Sequence, residues 1–234
     1  MTFTRRIVHH GRDRVQISGW KSRDDVANLV PFPSGDRLAV DTVRRAIDSA
    51  RESGYRRAYT AAMSPTQAVP FVEGGFELVE ELHLLERHLD GDPSSTRGGL
   101  RRGRRLDFDA VLSFDGLAFD EFWQFDRSSL ADAMRATPRS RFQVTRTTPI
   151  VGYHVTGLAG SNAYLQRVAV HPEAQGRGWG RRLVEDGLRW AWRNGAVRAH
   201  VNTQITNERA LALYERCGFQ SARHRLQVLH RNLV

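Results

Sequence analysis

The C-terminal half of the chain alternates β-branched runs with stretches in which apolar residues recur every three or four positions. Residues 179–194 have this helical period, with charged side chains on the other side, which predicts an amphipathic helix. Residues 164–170 and 197–202 predict strands on either side of it, and residues 207–217 predict a further helix. Helices interleaved with strands predict an α/β fold with a mixed sheet.

Upstream of these elements the pattern is less regular. Apolar spacing predicts helices over residues 118–126 and 128–136, and residues 148–156 predict a strand. A turn over residues 157–162 is expected to join that strand to the next one. The apolar positions of the two helices are Phe119, Phe122 and Trp123, followed by Leu130, Ala133 and Met134.

Two segments of the chain are similar to each other. Residues 64–77 read Ser-Pro-Thr-Gln-Ala-Val-Pro-Phe-Val-Glu-Gly-Gly-Phe-Glu, and residues 207–220 read Asn-Glu-Arg-Ala-Leu-Ala-Leu-Tyr-Glu-Arg-Cys-Gly-Phe-Gln. When they are aligned, Phe71 meets Tyr214, and a Gly-Phe pair follows in both. Each segment is preceded by an amphipathic helix and a short strand and followed by a strand, which indicates a duplication.

The duplication predicts three parts. Residues 91–105, rich in Gly, Pro, Ser and Arg, have the composition of a linker. Residues 1–90 form a shorter, degenerate copy, because residues 31–40 before its helix contain one glycine and two prolines and lack the glycine-rich loop found in the second copy, residues 106–234. The arginines that end the linker are interpreted as a solvated face rather than a nucleic-acid site, since no aromatic residues surround them for base stacking.

Composition narrows the class of protein. With 234 residues, 40% hydrophobic and 26% charged, the chain is typical of soluble globular proteins. No apolar run has the roughly 18–20 residues of a membrane span, and the N-terminus lacks the apolar segment of a secretory signal. Cys217 is the single cysteine, so an intramolecular disulfide is excluded and a cytoplasmic location is expected. The lone cysteine and the spacing of the histidines predict no metal site. The net charge of +9 suits nucleic acid, another polyanion or the phosphates of a cofactor equally well.

Residues 168–183 are the strongest candidate for chemistry. A β-branched strand stops at a His-Pro pair, and a loop with Gly176, Gly178 and Gly180 opens directly into the amphipathic helix. Such a turn exposes free backbone N–H groups at the positive end of a helix dipole, where anions bind. The alternative interpretation is a tight strand-to-helix connection without a ligand.

The sequence over residues 164–220 resembles the core of the GNAT superfamily of N-acetyltransferases, which use acetyl-CoA. The resemblance lies in the order of a strand, a Gln-x-x-Gly-x-Gly loop at 175–180, a helix, a strand and a motif that starts at Asn207. That motif is Asn-x-x-Ala-x-x-Leu-Tyr-Glu-x-x-Gly-Phe. The resemblance implies a GNAT fold, duplicated in tandem with an incomplete N-terminal copy, as in members of the mycothiol-synthase type.

The resemblance also implies which residues hold acetyl-CoA. The strand before the loop leaves backbone groups free for the pantetheine amides, and the loop takes the pyrophosphate. Asn207 caps its helix and also touches the pantetheine arm in this family, and the two roles are compatible. The cofactor-binding residues implied are Val168, Ala169, Val170, Gln175, Gly176, Arg177, Gly178, Trp179, Gly180, Arg181 and Asn207.

Tyr214 is a candidate catalytic residue. It shares a helical stripe with Ala210 and Cys217, which points it inward, either as a core residue or as a catalytic hydroxyl. The resemblance implies that it protonates the departing thiolate, which is general-acid catalysis. Phe71 in the degenerate copy keeps the ring without the proton, which favours the catalytic interpretation. Cys217 is expected to be buried and inert.

The sequence leaves the general base open. Many members of the superfamily place a Glu on the strand before the loop, but the aligned residue is Tyr164, and no carboxylate stands on the later strand where some carry one. Tyr164, Gln166, His154 and Asn202 are candidates for organising a water relay, or they are ordinary strand residues. An amine of low pKa, such as a protein α-amino group or an aromatic amine, demands less of a base.

The expected function is that of a cytoplasmic acetyl-CoA-dependent N-acetyltransferase in which a primary amine attacks the thioester directly. The expected acceptor is a small-molecule amine or a protein N-terminal amine. The protein is expected to be a monomer or homodimer, with neither a membrane nor nucleic acid as a partner. The alternative is a non-catalytic acyl-CoA-binding sensor, or a nucleic-acid-associated regulatory protein that uses the Arg-rich linker.

Overall fold

The computed structural model describes residues 5–21, 23–91, 93 and 98–234, and the chain divides into two compact units. The first unit contains residues up to 83 together with 204–206 and 223–234, and the second contains 84–203 and 207–222. The elements in chain order are β1 (Arg6–His10), β2 (Asp13–Trp20), β3 (Arg23–Phe32), α1 (Val40–Glu52), β4 (Arg57–Thr60), α2 (Pro65–Glu73), β5 (Glu77–His88), β6 (Leu100–Arg102), α3 (Phe108–Ala118), α4 (Arg127–Arg135), β7 (Arg139–Thr145), β8 (Gly152–Ala159), β9 (Asn162–Val170), α5 (Trp179–Arg193), β10 (Arg198–Gln204), α6 (Glu208–Arg216), β11 (Gln220–Ser221) and β12 (Leu226–Asn232).

The first unit is built on a sheet in which β1, β2, β3, β4, β12 and the first part of β5 are adjacent in that order. Strands β3 and β4 run parallel because α1 connects them, and the other pairs are antiparallel. The final strand of the chain therefore lies inside this sheet, between β4 and β5. The buried core contains Val15, Ile17, Leu29, Phe71 and Leu229.

The second unit orders its strands as the last part of β5, then β10, β9, β8, β7 and β6. Strands β6 to β9 pair antiparallel, and β9 runs parallel to β10 because α5 connects them. Side chains of α5 and α6 form one core with β9 and β10. Side chains of α3 and α4 form a second core with β7 and β8.

The helices and strands predicted after residue 164 agree with α5, α6, β9 and β10 to within a few residues. The helix predicted over 118–126 is wrong, because the chain is helical over Phe108–Ala118 and irregular over 119–126. The spacing of Phe119, Phe122 and Trp123 has other causes. The rings of Phe122 and Trp123 pack edge-on against each other, with centroids 5.0 Å apart. The ring of Phe119 covers the buried Arg167 cation together with that of Phe125, and the two ring centroids lie 3.4 and 4.0 Å from the guanidinium carbon.

Two strands also differ from prediction. The strand expected over 148–156 lies at Gly152–Ala159, and its turn is only residues 160–161 rather than 157–162. Strand β7 was not predicted from the sequence. Its first three residues are polar, and its last four are all buried, so it lacks the alternation that marks a half-buried strand.

The predicted bounds of 1–90, 91–105 and 106–234 differ from the two units. Part of the expected linker, residues 92 and 94–97, lies outside the described residues. Its basic end is ordered within the second unit: residues 100–102 form β6, and Arg101 makes a bidentate ion pair with Asp107 at 2.8 and 2.6 Å. The last twelve residues belong to the first unit, because β12 pairs with β4 and β5.

Candidate active site

The parallel strands β9 and β10 separate after three paired residues. Pairing joins Asn162 to Arg198, Ala163 to Ala199, and Tyr164 to His200, and beyond this point β9 pairs only with β8. A bulge at Gln166, where the register with β8 shifts, bends β9 at the same place. The backbone of residues 168–170 on the side of β10 is therefore free of a strand partner, as the sequence predicted.

The loop after β9 enters α5 through two glycines in the left-handed region. Residues 172–174 form one turn of 3₁₀ helix, and then Gly176 and Gly178 have φ angles of +77° and +80°. Any other L-residue is strained at such angles, which explains why glycine stands at both positions. Gly180 has no such angle, and a Cβ there would lie 3.0 Å from a terminal methyl group of Leu213 on α6.

Six successive backbone N–H groups in this loop have no hydrogen-bond acceptor. The first N–H of α5 with an acceptor is that of Arg182, which donates to the Gly178 carbonyl at 3.2 Å. The N–H groups of residues 176–181, all within the described part of the chain, have none. They lie at the positive end of a fifteen-residue helix, so the loop offers an anion several donors and a favourable dipole.

The side chains around the loop brace it rather than fill it. Gln175 donates to the Val170 carbonyl at 3.2 Å and accepts from Arg209 on α6, so it ties the loop to both neighbours. Arg181 forms an ion pair with Glu185 at 2.6 Å, and Arg177 is exposed. Trp179 lies against Arg182, whose guanidinium is 5.1 Å from its ring. The structure therefore assigns Gln175 a structural contact in addition to its predicted place at the ligand.

Helix α6 begins and ends as its sequence predicts. The Asn207 side chain accepts the N–H of Ala210 at 3.0 Å, which confirms the helix cap. Tyr214 is 7% exposed and packs edge-on against Phe219, with ring centroids 5.8 Å apart. Burial raises the pKa of Tyr214 to about 12, while the positive charge of Arg167 opposes that shift. Its hydroxyl has no hydrogen-bond partner among the described residues, so it is free to donate to a ligand.

A buried charge cluster that the sequence did not reveal lies on β9 next to the bulge. Arg167 donates to both oxygens of Asp115 at 2.8 and 2.5 Å, and Tyr153 donates to the same carboxylate at 2.7 Å. The N–H of Phe125 is a further donor to Asp115 at 2.8 Å. Asp115 is fully buried and Arg167 nearly so. A buried pair of this kind has its lone pairs and protons satisfied, and it fixes the loop after α3 against β9.

Tyr164 and His200 form the last pair before β9 and β10 separate. Tyr164 is 38% exposed, and its ring stacks on the His200 ring with centroids 5.4 Å apart. The His200 Nε2 atom lies 3.1 Å from Asn162 Oδ1, and Nδ1 lies 3.5 Å from the Glu86 carboxylate on β5. Burial lowers the pKa of His200. The sequence drew attention to Tyr164 but not to His200 or Glu86, because only the strand order brings β5 beside β10.

The other residues considered for proton transfer lie elsewhere. His154 is fully buried, with Nδ1 2.9 Å from the Thr156 hydroxyl and Nε2 3.0 Å from Asp186 on α5, so its contacts are to the helix and not to the separated strands. Asn202 is exposed on β10, two residues beyond His200. Gln166 occupies the bulge, and its buried Oε1 atom has no partner.

Cys217 is buried as expected, and burial raises the pKa of its thiol. The described residues contain no group of three or more His, Cys, Asp or Glu side chains placed to hold a metal ion. None of the described helices is both long and apolar enough to cross a membrane.

The comparison with known proteins agrees with this site. Residues 109–219 match the Acetyltransferase (GNAT) family. The ribosomal protein bS18-alanine N-acetyltransferase of Escherichia coli K12 is 31% identical over 81 residues, which are 35% of this chain and 55% of that protein. The mycothiol acetyltransferase of Saccharomonospora viridis is 30% identical over 131 residues, 49% of this chain and 43% of that protein. The chain thus spans about half the length of the curated relatives it matches.

Solved structures extend the likeness to the whole chain. A tandem GNAT protein from the clavulanic acid biosynthesis pathway superposes with a TM-score of 0.68 over 97% of this chain and 81% of that one, at 14% identity. The GCN5-related N-acetyltransferase from Sphaerobacter thermophilus gives 0.62 over 94% and 76%, at 17% identity. Such low identities concern the fold alone, and they confirm the predicted tandem GNAT architecture. The part of the chain that matches this family, residues 109–219, contains the separated strands, the glycine loop and Tyr214.

Proposed function

We propose that the protein is an acetyl-CoA-dependent N-acetyltransferase and that its second unit holds the cofactor and performs the reaction. The observation on which this rests is the separation of β9 from β10 immediately before a loop with six free N–H donors. An extended amide chain fits beside the free edge of β9, and a pyrophosphate fits the loop. The single cysteine supports a cytoplasmic location.

The chemistry follows from the same geometry. The amine nitrogen attacks the thioester carbon, and free N–H groups along residues 168–170 stabilise the negative charge on its oxygen. As the C–S bond breaks, the sulfur takes a proton from Tyr214, whose raised pKa keeps it protonated throughout the working pH range. Arg167 stabilises the tyrosinate until solvent restores the proton. No covalent intermediate on the enzyme is needed, and Cys217 takes no part.

For the proton that the amine loses, we propose His200, held by Glu86 and stacked on Tyr164. A lowered pKa makes the imidazole neutral at pH 7, which is the form that accepts a proton. Tyr164 is the exposed member of the pair and the one that faces an incoming amine or a bridging water. This assignment replaces the missing carboxylate by a histidine on the neighbouring strand.

The proposed acceptor is a primary amine, with a protein N-terminal amine favoured over an alkylamine. An α-amino group has a pKa of about 7.7–8.0, so a large fraction is already neutral and a weak base suffices. The name of the Escherichia coli relative, which is an alanine N-acetyltransferase of a ribosomal protein, supports this class. A small-molecule amine remains the second class to test.

Calorimetric titration with acetyl-CoA tests the cofactor site. In Gly178→Val the loop cannot keep its left-handed turn, and we expect binding to fall at least 100-fold. Gly195→Val is a matched control: Gly195 also has a positive φ, of +90°, and open space around its Cβ position, but it follows the other end of α5. Wild-type protein that does not bind acetyl-CoA, or equal loss in both variants, contradicts the proposal.

A further inference from the structure

A second candidate site lies in the second unit, and none of the residues that line it belongs to the glycine loop. A cleft of about 760 Å³ opens between the segment after β6 and helix α4. Five arginines line it: Arg102, Arg104 and Arg105 on one wall, and Arg127 and Arg135 on the other. Between them lie the apolar side chains of Phe108, Ala131 and Met134.

The wall after β6 is held in one conformation. Asp107 is buried, makes the bidentate pair with Arg101 and accepts the Arg104 N–H at 2.7 Å. The backbone of Gly103 lies directly on the Phe142 ring, where a Cβ would overlap the ring atoms. The neighbouring guanidinium groups are therefore presented by a fixed backbone, which reduces the entropy that a ligand must remove on binding.

The charge of the cleft is unbalanced. On α4, Arg127 pairs with Asp109, and Arg135 pairs with Asp132 at 3.0 Å. Arg102, Arg104 and Arg105 form no ion pair with any carboxylate in the described part of the chain, and all three are exposed. The cleft thus has three uncompensated positive charges beside an apolar floor.

We propose that this cleft binds a phosphate-bearing ligand of nucleotide size. Guanidinium groups donate paired hydrogen bonds that match phosphate oxygens. The cleft volume falls in the range of about 300–1,000 Å³ that is typical of small-ligand sites. The three unpaired arginines take the phosphates, and a flat ring lies against Phe108, Ala131 and Met134. The ligand is a free nucleotide or a nucleotide at the end of a nucleic acid, since both have the same chemistry.

Binding of ATP to the full-length protein, measured by calorimetry at about 0.15 M salt, tests this proposal; at that salt, weak surface attraction is largely screened. We expect the triple variant Arg102→Gln, Arg104→Gln, Arg105→Gln to bind ATP at least tenfold more weakly. The control is Arg12→Gln, Arg45→Gln, Arg223→Gln, which removes the same charge from exposed arginines elsewhere and should change affinity less than twofold. Gly178→Val should still bind ATP, which separates this cleft from the glycine loop.

Two further ligands identify what the cleft recognises. Adenosine should bind at least tenfold more weakly than ATP, since it lacks the phosphates. A short single-stranded oligonucleotide that competes with ATP and binds more tightly identifies nucleic acid as the source, whereas one that binds more weakly identifies the free nucleotide. No ATP binding to the wild type, equal loss in the control variant, or loss in Gly178→Val overturns the proposal.

Discussion

The two units contain the same strand–loop–helix arrangement, but they differ in whether an acidic side chain accepts hydrogen bonds from the backbone N–H groups near the start of the helix. In the second unit the N–H groups before and within the first turn of α5 have no acceptor. In the first unit the buried carboxylate of Asp13 accepts the N–H of Ala39 at 2.9 Å and the N–H and hydroxyl of Ser34, both at 2.8 Å. Ala39 is the residue that precedes α1, so the first unit supplies its own anion. A helix that already has an internal carboxylate at its positive end has little to offer a phosphate.

The parallel strands show the same contrast. Strands β3 and β4 pair over four residues and continue through the Ala61 N–H, which donates to Leu29 at 2.9 Å. Near the end of β3 stands Pro31, which has no N–H, and counted from the strand ends it corresponds to Ala169 on β9. The first unit therefore has neither the separated strands nor the full set of donors. Both units therefore have a similar fold, whereas among the described residues the free loop donors beside separated strands belong to the second unit.

The aligned aromatic residues of α2 and α6, Phe71 and Tyr214, differ by one hydroxyl. Phe71 packs edge-on against Phe76 with centroids 5.4 Å apart, as Tyr214 packs against Phe219. Both rings are buried in their cores. The ring at this position thus serves packing in both units, and the Tyr214 hydroxyl is available for chemistry.

The largest effect should come from removing that hydroxyl. We expect Tyr214→Phe to lower kcat about 10³-fold, within the range of about 10²–10⁴ for general acid catalysis, because the thiolate loses its proton donor. Acetyl-CoA affinity and thermal stability should stay near wild type, since Phe71 shows that phenylalanine fits this packing. Release of free CoA thiol measures the rate. An unchanged kcat would show that another group protonates the thiolate, and lost affinity would mean that Tyr214 is structural. No turnover in the wild type would favour a non-catalytic acyl-CoA binder.

The next largest effect should come from breaking the buried ion pair of the second unit, Asp115 and Arg167. Counted from the strand ends, Arg167 on β9 corresponds to the buried Leu29 on β3. Asp115→Asn leaves the Arg167 guanidinium without its charge partner, so we expect a loss of about 3–4 kcal/mol in unfolding free energy. Urea denaturation measures it. Asp41→Asn, which breaks an exposed pair with Arg44, should be nearly neutral. Similar losses in both variants would show that burial of the pair is unimportant.

The internal carboxylate of the first unit should have a smaller effect. Asp13→Ala removes three hydrogen bonds to a charged acceptor, and we expect a loss of about 2 kcal/mol. These donors lower the pKa of Asp13 below 3.8, so its contribution is complete above pH 3.8 and is lost as the pH falls through its folded-state pKa. The difference in melting temperature between wild type and variant should therefore shrink at acid pH. Sulfate should stabilise the variant more than the wild type. The opposite order would contradict the idea that the Asp13 carboxylate takes the place of a bound anion.

The smallest effect concerns the last paired residues of the parallel strands. In the second unit these are Tyr164 and His200, whereas in the first they are Leu29 and Thr60, which do not titrate near neutral pH. We expect kcat, measured at saturating amine so that ionisation of the free amine does not enter, to fall at pH values below 6.5, because burial lowers the pKa of His200 and only its neutral form accepts a proton. His200→Asn should remove this acid limb and lower kcat about tenfold, less than the about 10²–10⁴ of an essential base, if the acceptor is a partly neutral α-amino group. A pH profile that is identical in the variant assigns the base elsewhere.

The sequence predicted the parts of this molecule that depend on local geometry. The helical stripe of α5, the cap at Asn207 and the inward position of Tyr214 are each set by neighbouring residues, and the structure has them as expected. Contacts between distant positions were missed. Asp115 and Arg167 are 52 residues apart, and Glu86 and His200 meet only because β5 lies beside β10. The stretch 118–126 was predicted as a helix from the spacing of Phe119, Phe122 and Trp123, whereas Phe119 serves with Phe125 to cover Arg167, a contact between distant positions.

The position of β12 has a consequence for the order in which the protein is assembled. Along the chain this strand follows every other element, yet it lies between β4 and β5, and its Leu229 belongs to the core of the first unit. A ribosome therefore completes the sequence of the second unit before it releases the strand that closes the first. The N-terminal unit cannot finish folding ahead of its neighbour, as domains usually do during synthesis at about 5–20 residues per second. Its unpaired strand edges stay exposed for that interval, and the protein depends on a late, long-range pairing to protect them.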